Sequence, residues 1–258
     1  MSGDADRSGR AAVEEAAARL SVLGSAVERD VPLGPMTTYR VGGTAALFVR
    51  VSDRLMLPAV ADAARASGLP VLVVGRGSNL LVADSGFAGL AIGLSDLEEV
   101  IELDTEHAIA RASAGVALPV LARKTAAAGL AGFEWAVGVP GSVGGAVRMN
   151  AGGHGSDMAA SLTNVVVFDL VAGAERSLGV DELGLGFRSS ELAEHQLVLD
   201  ATLQLHHGDA EVSGRLISEI VAWRRTNQPG GQNAGSVFVN PVPGEVSAGA
   251  LVDAAGLR

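Results

Sequence analysis

Apolar positions along the chain recur at two spacings, and the changes between them outline the elements. Over residues 11–23, Val13, Ala17 and Leu20 fall near one helical face and Gly24 supplies a stop. A helix is expected there, with the polar residues 1–10 frayed. Residues 31–38, rich in Pro, Gly and Thr, read as loop. After Gly42-Gly43, Ala46-Leu47-Phe48-Val49 reads as a strand. Asp53 is placed to cap a helix running to Ser67, with Pro58 in its early part and Gly68 ending it. Leu69-Pro70-Val71-Leu72-Val73-Val74 is short and apolar enough for a buried strand, and Leu80-Leu81-Val82-Ala83 is expected to continue as strand after a loop. Strands are then expected over 89–92, 99–103 and 107–112, and a helix over 118–128 with Pro119 near its start and Gly129 past its end. Later strands are expected over 165–168 and 197–205, with a polar turn and residues 182–190 between them. Val212, Leu216, Ile220 and Trp223 lie at helical spacing within 211–225.

Two glycine-rich interruptions break this pattern. The larger covers residues 138–155, with seven glycines in 18 residues and few side chains able to fill a core. Glycine loses more backbone entropy on folding than other residues, so such density implies close packing of backbone or close approach of backbone to a ligand. Ser142 is placed to cap a short helix through Ala146 to Met149, which would turn free N–H groups and a positive dipole end outward. The smaller interruption is Gly75-Arg76-Gly77-Ser78-Asn79. A dinucleotide fold of the doubly wound type would require a third glycine and an immediate helix, and apolar residues follow instead. What remains is a concave row of N–H donors or an ordinary hairpin turn. Two such loops, one in each of two subdomains, could grip a pyrophosphate from both sides.

Composition narrows the classes. The chain has 258 residues, enough for two modest domains, and no cysteine, which removes disulfides and thiolate metal sites. No apolar run reaches 18 residues and the amino terminus lacks a basic-then-apolar leader, so a soluble cytoplasmic protein is expected. The net charge of −10 is spread along the chain without a Lys/Arg cluster, which argues against a nucleic-acid partner. His107, His195, His206 and His207 show no metal-ligand spacing. The expected class is α+β, with an N-terminal helix and lead-in (1–30), two subdomains (31–104 and 105–208) and a shorter C-terminal piece (209–258).

The motifs resemble one known family. Gly129-Leu130-Ala131-Gly132-Phe133-Glu134-Trp135 leads into Gly138-Val139-Pro140-Gly141-Ser142-Val143-Gly144-Gly145-Ala146 and then Met149-Asn150-Ala151-Gly152. Together with Thr38-Tyr39-Arg40-Val41-Gly42-Gly43, Gly75-Arg76-Gly77-Ser78-Asn79-Leu80-Leu81, Phe187-Arg188-Ser189-Ser190 and Ala234-Gly235-Ser236-Val237-Phe238-Val239-Asn240-Pro241, this order and spacing resembles the UDP-N-acetylenolpyruvoylglucosamine reductases. The resemblance implies a two-subdomain FAD-binding fold of the vanillyl-alcohol-oxidase (PCMH) type and a partial α/β substrate-binding domain. It implies non-covalent FAD, NADPH as reductant, a nucleotide-sugar substrate, no membrane partner and a monomer. The cofactor-binding positions it implies are Tyr39, Gly75, Arg76, Gly77, Ser78, Asn79, Leu80, Gly138, Val139, Pro140, Gly141, Ser142, Gly144, Gly145, Asn150, Ala151, Gly152 and His154.

It also implies Arg188 and Ser236 as catalytic residues, with no metal. Hydride addition to a vinyl ether that bears a carboxylate builds negative charge beside that carboxylate, which a fixed guanidinium can meet bidentately. The adjacent carbon then needs a proton from a positioned acid, the role that falls to Ser236. The chain departs from the family pattern at Phe187 (usually Tyr), Val239 (usually Lys) and His154 (commonly Tyr). Family members continue past a position like Arg258 and carry a second acid, a Glu, that has no match here, so the chain is expected to be truncated at its C-terminus. Two other readings stand beside the reductase: an FAD oxidase with the same cofactor fold, and an FAD-binding module without turnover.

Overall fold

The computed structural model describes residues 2–228, 238–242 and 245–257. The first half is built from α1 (Ser2–Leu20), β1 (Val27–Pro32), β2 (Thr44–Arg50), α2 (Leu57–Ser67), β3 (Val71–Val74) and β4 (Phe87–Gly93). These strands form one sheet in the order β1-β2-β4-β3, antiparallel between β1 and β2 and parallel across the rest. Period-two alternation divides its side chains between two cores. Leu47, Val49, Leu90 and Ile92 face Leu20, Leu57, Val60 and Ala61 of α1 and α2. Phe48 and Ala91 face the other way, against Leu33 and Val82, and a register shift between Ala45 and Leu47 puts Ala45 on that side too.

The second half contains β5 (Ile101–Asp104), β6 (Ile109–Ser113), α3 (Leu118–Ala127), β7 (Leu130–Ala131), α4 (Val143–Arg148), β8 (Gly152–Gly153), β9 (Ser156–Asp157), β10 (Leu162–Asp169), β11 (Ala174–Gly179), β12 (Gln196–Gln204), β13 (His206–His207), α5 (Ala210–Asn227) and α6 (Ala248–Ala254). Five of its strands make an antiparallel sheet in the order β11-β10-β12-β6-β5, and β7/β13 and β8/β9 pair separately. Its inner face packs Ala110, Ala112, Val165, Val167, Ala201 and Leu203 against α3, α4 and α5. A register shift between Val166 and Val167 lets β12 change sides. Leu197 and Leu199 therefore join the core of the first half, while Ala201 and Leu203 stay in the second. Across the same seam the carboxylate of buried Asp200 receives Arg54 at 2.6 Å and Arg111 at 3.2 Å.

Several expectations change. The first helix begins at Ser2 instead of fraying through residue 10, because polar residues extend a helix without an apolar stripe to reveal it. Val31 and Pro32, read as loop, close the edge strand β1, where a proline removes no needed ladder bond. The polar stretch over 174–179, read as turn, is the edge strand β11, exposed at four of its six positions. Residues 80–83 are not a strand. β3 and β4 are adjacent and parallel, so the chain must cross over between them, and residues 75–86 serve as that crossover. Asp53 caps the short 3-10 turn Arg54–Met56 that leads into α2, accepting from Leu55 N–H at 2.8 Å, and not α2 itself, while Gly68 ends α2 with the left-handed φ of 64°.

Candidate functional site

The loop after β3 carries the clearest chemical signal. Among the described residues, no acceptor meets the backbone N–H groups of Gly75, Arg76, Gly77, Ser78 and Asn79, while that of Leu80 turns back on Gly77 to close the turn over residues 78–79. Buried backbone donors are nearly always paired, so five in succession that no protein acceptor meets, the one on Gly77 buried, describe a surface suited to an acceptor-rich ligand. The loop is held in place by its other atoms. Gly77 O accepts from Thr38 N–H at 3.2 Å, which ties the Tyr39 segment alongside. Gly77 itself has φ of 63°, and a Cβ there would sit 1.9 Å from Met36 O, so no other residue fits.

The central stretch approaches this loop from the second half. Ser78 Oγ donates to Pro140 O at 3.3 Å, a Cβ on Gly141 would meet Ser78 Oγ at 2.7 Å, and one on Gly75 would meet Ser142 Oγ at 3.1 Å. The stretch is anchored from behind. Phe133 and Trp135 are buried edge to face at 5.3 Å, and the buried Glu134 carboxylate accepts from Gly132 N–H at 2.8 Å and from Ser213 Oγ of α5 at 2.6 Å.

Ser142 does occupy the N-cap of α4, yet its hydroxyl makes no capping bond. The expected fan of free N–H groups is also smaller than the sequence suggested. Val143 N–H donates to Val116 O and Gly144 N–H to Ala114 O, both at 2.9 Å, because the short helix docks onto the segment after β6. Gly141, Ser142 and Gly145 keep N–H groups that no acceptor meets among the described residues. The stretch thus contributes backbone donors around a turn more than a helix dipole.

Between the halves lies a cavity of about 280 Å³, lined by Val71, Gly75, Arg76, Ser142, Gly144 and Gly145 among others. Sequence reasoning missed Arg148, Glu194 and Gln196 on its wall. They are ordinary residues in sequence, and only the docking of α4 and β12 opposite β3 brings them there. Arg76 lines the cavity, with its guanidinium turned to Glu99 Oε1 at 2.8 Å and Gly115 O at 3.4 Å.

The downstream part of the glycine-rich stretch does other work. Asn150 is buried, and its carboxamide is fully engaged with Asp157, Gly186 and Ala159. Ala151 is core, Gly152 lies in the β8/β9 pair, and Val139 packs at the edge of the core. His154 sits edge to face with Trp223 at 5.1 Å, and its ring covers Gly138. Arg188 stands in a tight turn at φ of 54°, exposed and stacked at 5.9 Å over the Phe187 ring. No carboxylate pairs with it among the described residues. A non-glycine residue in this region is strained, and such strain tends to collect at functional sites. Ser236 lies outside the described residues.

Comparison with known proteins agrees with this geometry. A family model described as an FAD binding domain matches residues 45–175, which include both loops. The reductase named UDP-N-acetylenolpyruvoylglucosamine reductase of Synechococcus sp. (strain RCC307) is 41% identical over 235 residues, covering 90% of this chain and 76% of its own length. That of Heliobacterium modesticaldum is 42% identical over 229 residues, covering 88% and 72%. The crystal structure of the Thermus caldophilus enzyme superposes with a TM-score of 0.74 at 38% identity, covering 90% of this chain and 80% of that one. A Physcomitrella patens BBE-like protein at 15% identity and a TM-score of 0.56 shares the fold alone. The α+β fold is the two-subdomain FAD-binding type, and by these identities and coverages the chain belongs to the UDP-N-acetylenolpyruvoylglucosamine reductase family.

Proposed function

We propose that this protein uses NADPH and non-covalent FAD to reduce UDP-N-acetylglucosamine enolpyruvate to UDP-N-acetylmuramate, a cytoplasmic precursor of peptidoglycan. The observation that carries the reading is the run of five N–H groups over residues 75–79 that no acceptor meets among the described residues, faced across the seam by those of Gly141, Ser142 and Gly145. These donors fit a dinucleotide's pyrophosphate. They are neutral, fixed by the fold, and close enough to backbone for phosphate oxygens because glycines line the approach. Gly75, Ser142, Gly144 and Gly145 would wall the cofactor on the cavity side.

Bound FAD would supply hydride-transfer chemistry between NADPH and the enolpyruvyl double bond. The remaining steps fall to side chains of this chain. Arg188 binds the substrate carboxylate and steadies the charge that develops beside it; its fixed planar fork suits this better than a lysine would. Ser236 delivers a proton to the carbon next to that carboxylate. A hydroxyl is a weak acid, but the carbon it protonates is strongly basic at that moment.

The purified protein tests this directly. It should carry flavin absorbance or acquire it with added FAD, and NADPH oxidation should depend on the enolpyruvyl substrate. A colourless protein that cannot be loaded with FAD would overturn the reading. A yellow one whose NADPH oxidation ignores that substrate would reduce it to a flavin-binding module.

A further inference from the structure

We infer that Asn150 is a positioning residue for Arg188 and not a cofactor ligand, an inference that rests on the reductase reading of Arg188. The Asn150 side chain is buried, and every part of its carboxamide is engaged within the protein. Its Nδ2 donates to Gly186 O at 3.0 Å and Asp157 Oδ2 at 3.2 Å, and its Oδ1 accepts from Ala159 N–H at 3.0 Å. A primary amide has two N–H donors, and both are committed, so none remains for a ligand.

What the amide holds is the base of the turn that carries Arg188. Gly186 N–H donates to Ser189 O at 3.0 Å and Ser189 N–H returns to Gly186 O at 3.3 Å, closing a bridge around Phe187 and Arg188. The same Gly186 carbonyl receives Asn150. The other shoulder is tied to the same place, for Ser190 Oγ donates to Arg148 O at 2.7 Å. The Arg148 guanidinium in turn donates to Ala193 O at 3.0 Å and to Leu192 O. Residues 148 and 150 stand at the end of α4, whose other end supplies Gly144 and Gly145 to the cavity wall.

Two non-glycine residues in left-handed conformation, Asn150 at φ of 38° and Arg188 at 54°, are thereby joined through one carbonyl. Asparagine tolerates that conformation better than most residues and alone among its near isosteres offers the two donors. The short helix α4 thus links the wall of the cofactor cavity to the cation that meets the substrate, so the two are set at a fixed spacing. Misplacement of a reacting group by about 1 Å costs roughly a hundredfold in rate, which is the scale of what such a link protects.

The test is the double variant Asn150→Asp/Asp157→Asn, with Asp157→Asn alone as control. The double variant restores a donor–acceptor pair between 150 and 157 and keeps the acceptor for Ala159 N–H, and it lacks the donor to Gly186 O. Three measurements are made: hydrogen exchange of the segment 184–193, flavin content, and the separate rates of flavin reduction by NADPH and reoxidation by the enolpyruvyl substrate. Faster exchange in that segment is expected, with flavin content and reduction within about twofold of wild type and reoxidation slowed roughly tenfold to a hundredfold. Ser190→Ala, which removes the other tether without touching the buried amide, should give the same pattern at about threefold to tenfold. Unchanged exchange over 184–193 in both the double variant and Ser190→Ala, or loss of flavin with that segment undisturbed, overturns the inference. If wild-type flavin is not reoxidised by the substrate, the reductase reading fails while the exchange result still decides what Asn150 holds.

Discussion

Gly145→Ala separates the two reasons a glycine can occupy the central stretch. Gly145 is the third residue of α4 and lines the cavity, and a Cβ there would touch only Ser142 Oγ, at 3.6 Å, an ordinary van der Waals contact. Its φ is not in the left-handed region, so alanine brings no backbone strain. Alanine is favoured over glycine inside a helix by roughly 0.5–1 kcal/mol. For a chain of this size that is a rise in Tm of about 1–4 °C. The same methyl group points toward the space assigned to the cofactor, and overfilling a fitted site costs about 1–3 kcal/mol. Flavin affinity should therefore fall by roughly fivefold to a hundredfold. Thermal unfolding of the flavin-free protein and titration with FAD followed by flavin fluorescence measure the two effects independently. A higher Tm together with unchanged FAD affinity would refute the assignment of this wall to the cofactor. A lower Tm would refute the packing account of Gly145.

The remaining predictions concern the chemistry and one buried carboxylate. Arg188→Lys keeps the charge and removes the planar fork, so kcat should fall roughly a hundredfold with flavin reduction by NADPH intact; an equal loss in both half-reactions would show that Arg188 serves the cofactor instead. Ser236→Ala should likewise leave flavin reduction in place while product formation collapses, as followed by single-turnover kinetics, and parallel loss would remove Ser236 from the proton-transfer step. Burial pushes the Asp169 carboxyl up, but the N–H groups of Ala172 and Val171 and the neighbouring His195 outweigh it and hold it below the usual carboxylate range. A depressed folded value means that its contribution to stability is complete above the unfolded pKa of about 3.9 and is lost as the pH falls through the folded value. The stability gap between wild type and Asp169→Asn, measured by urea unfolding, should shrink from pH 6 toward pH 3; a gap constant over that range would refute the assignment.

Local chemistry makes much of the molecule legible in the sequence. Strong periodic segments such as α2, α3, β4 and β12 lie where their apolar spacing places them, since burial of one face is what that spacing encodes. Glycines with no core to fill pointed to both loops, and their motifs and order pointed to the family. Two of the edge strands, β1 and β11, were not legible. β1 and β11 are mostly exposed and polar, and a strand held by one neighbour needs no apolar alternation. The strand expected over 80–83 failed for a topological reason, because whether an apolar run joins a sheet depends on which strands are already neighbours.

The candidate site divides along the same line. The sequence by itself determined which residue types are present: glycines that allow close backbone approach, an arginine able to meet a carboxylate, a serine in its motif. Only the tertiary structure decided how they are used. It leaves the N–H groups of residues 75–79 without acceptors among the described residues while engaging those of Val143 and Gly144, and it joins the Asn150 amide to Gly186 O beside Arg188. Donor and acceptor satisfaction is a property of pairs distant in sequence, as with residues 78 and 140 or 150 and 186, and no local pattern records which pairs will meet.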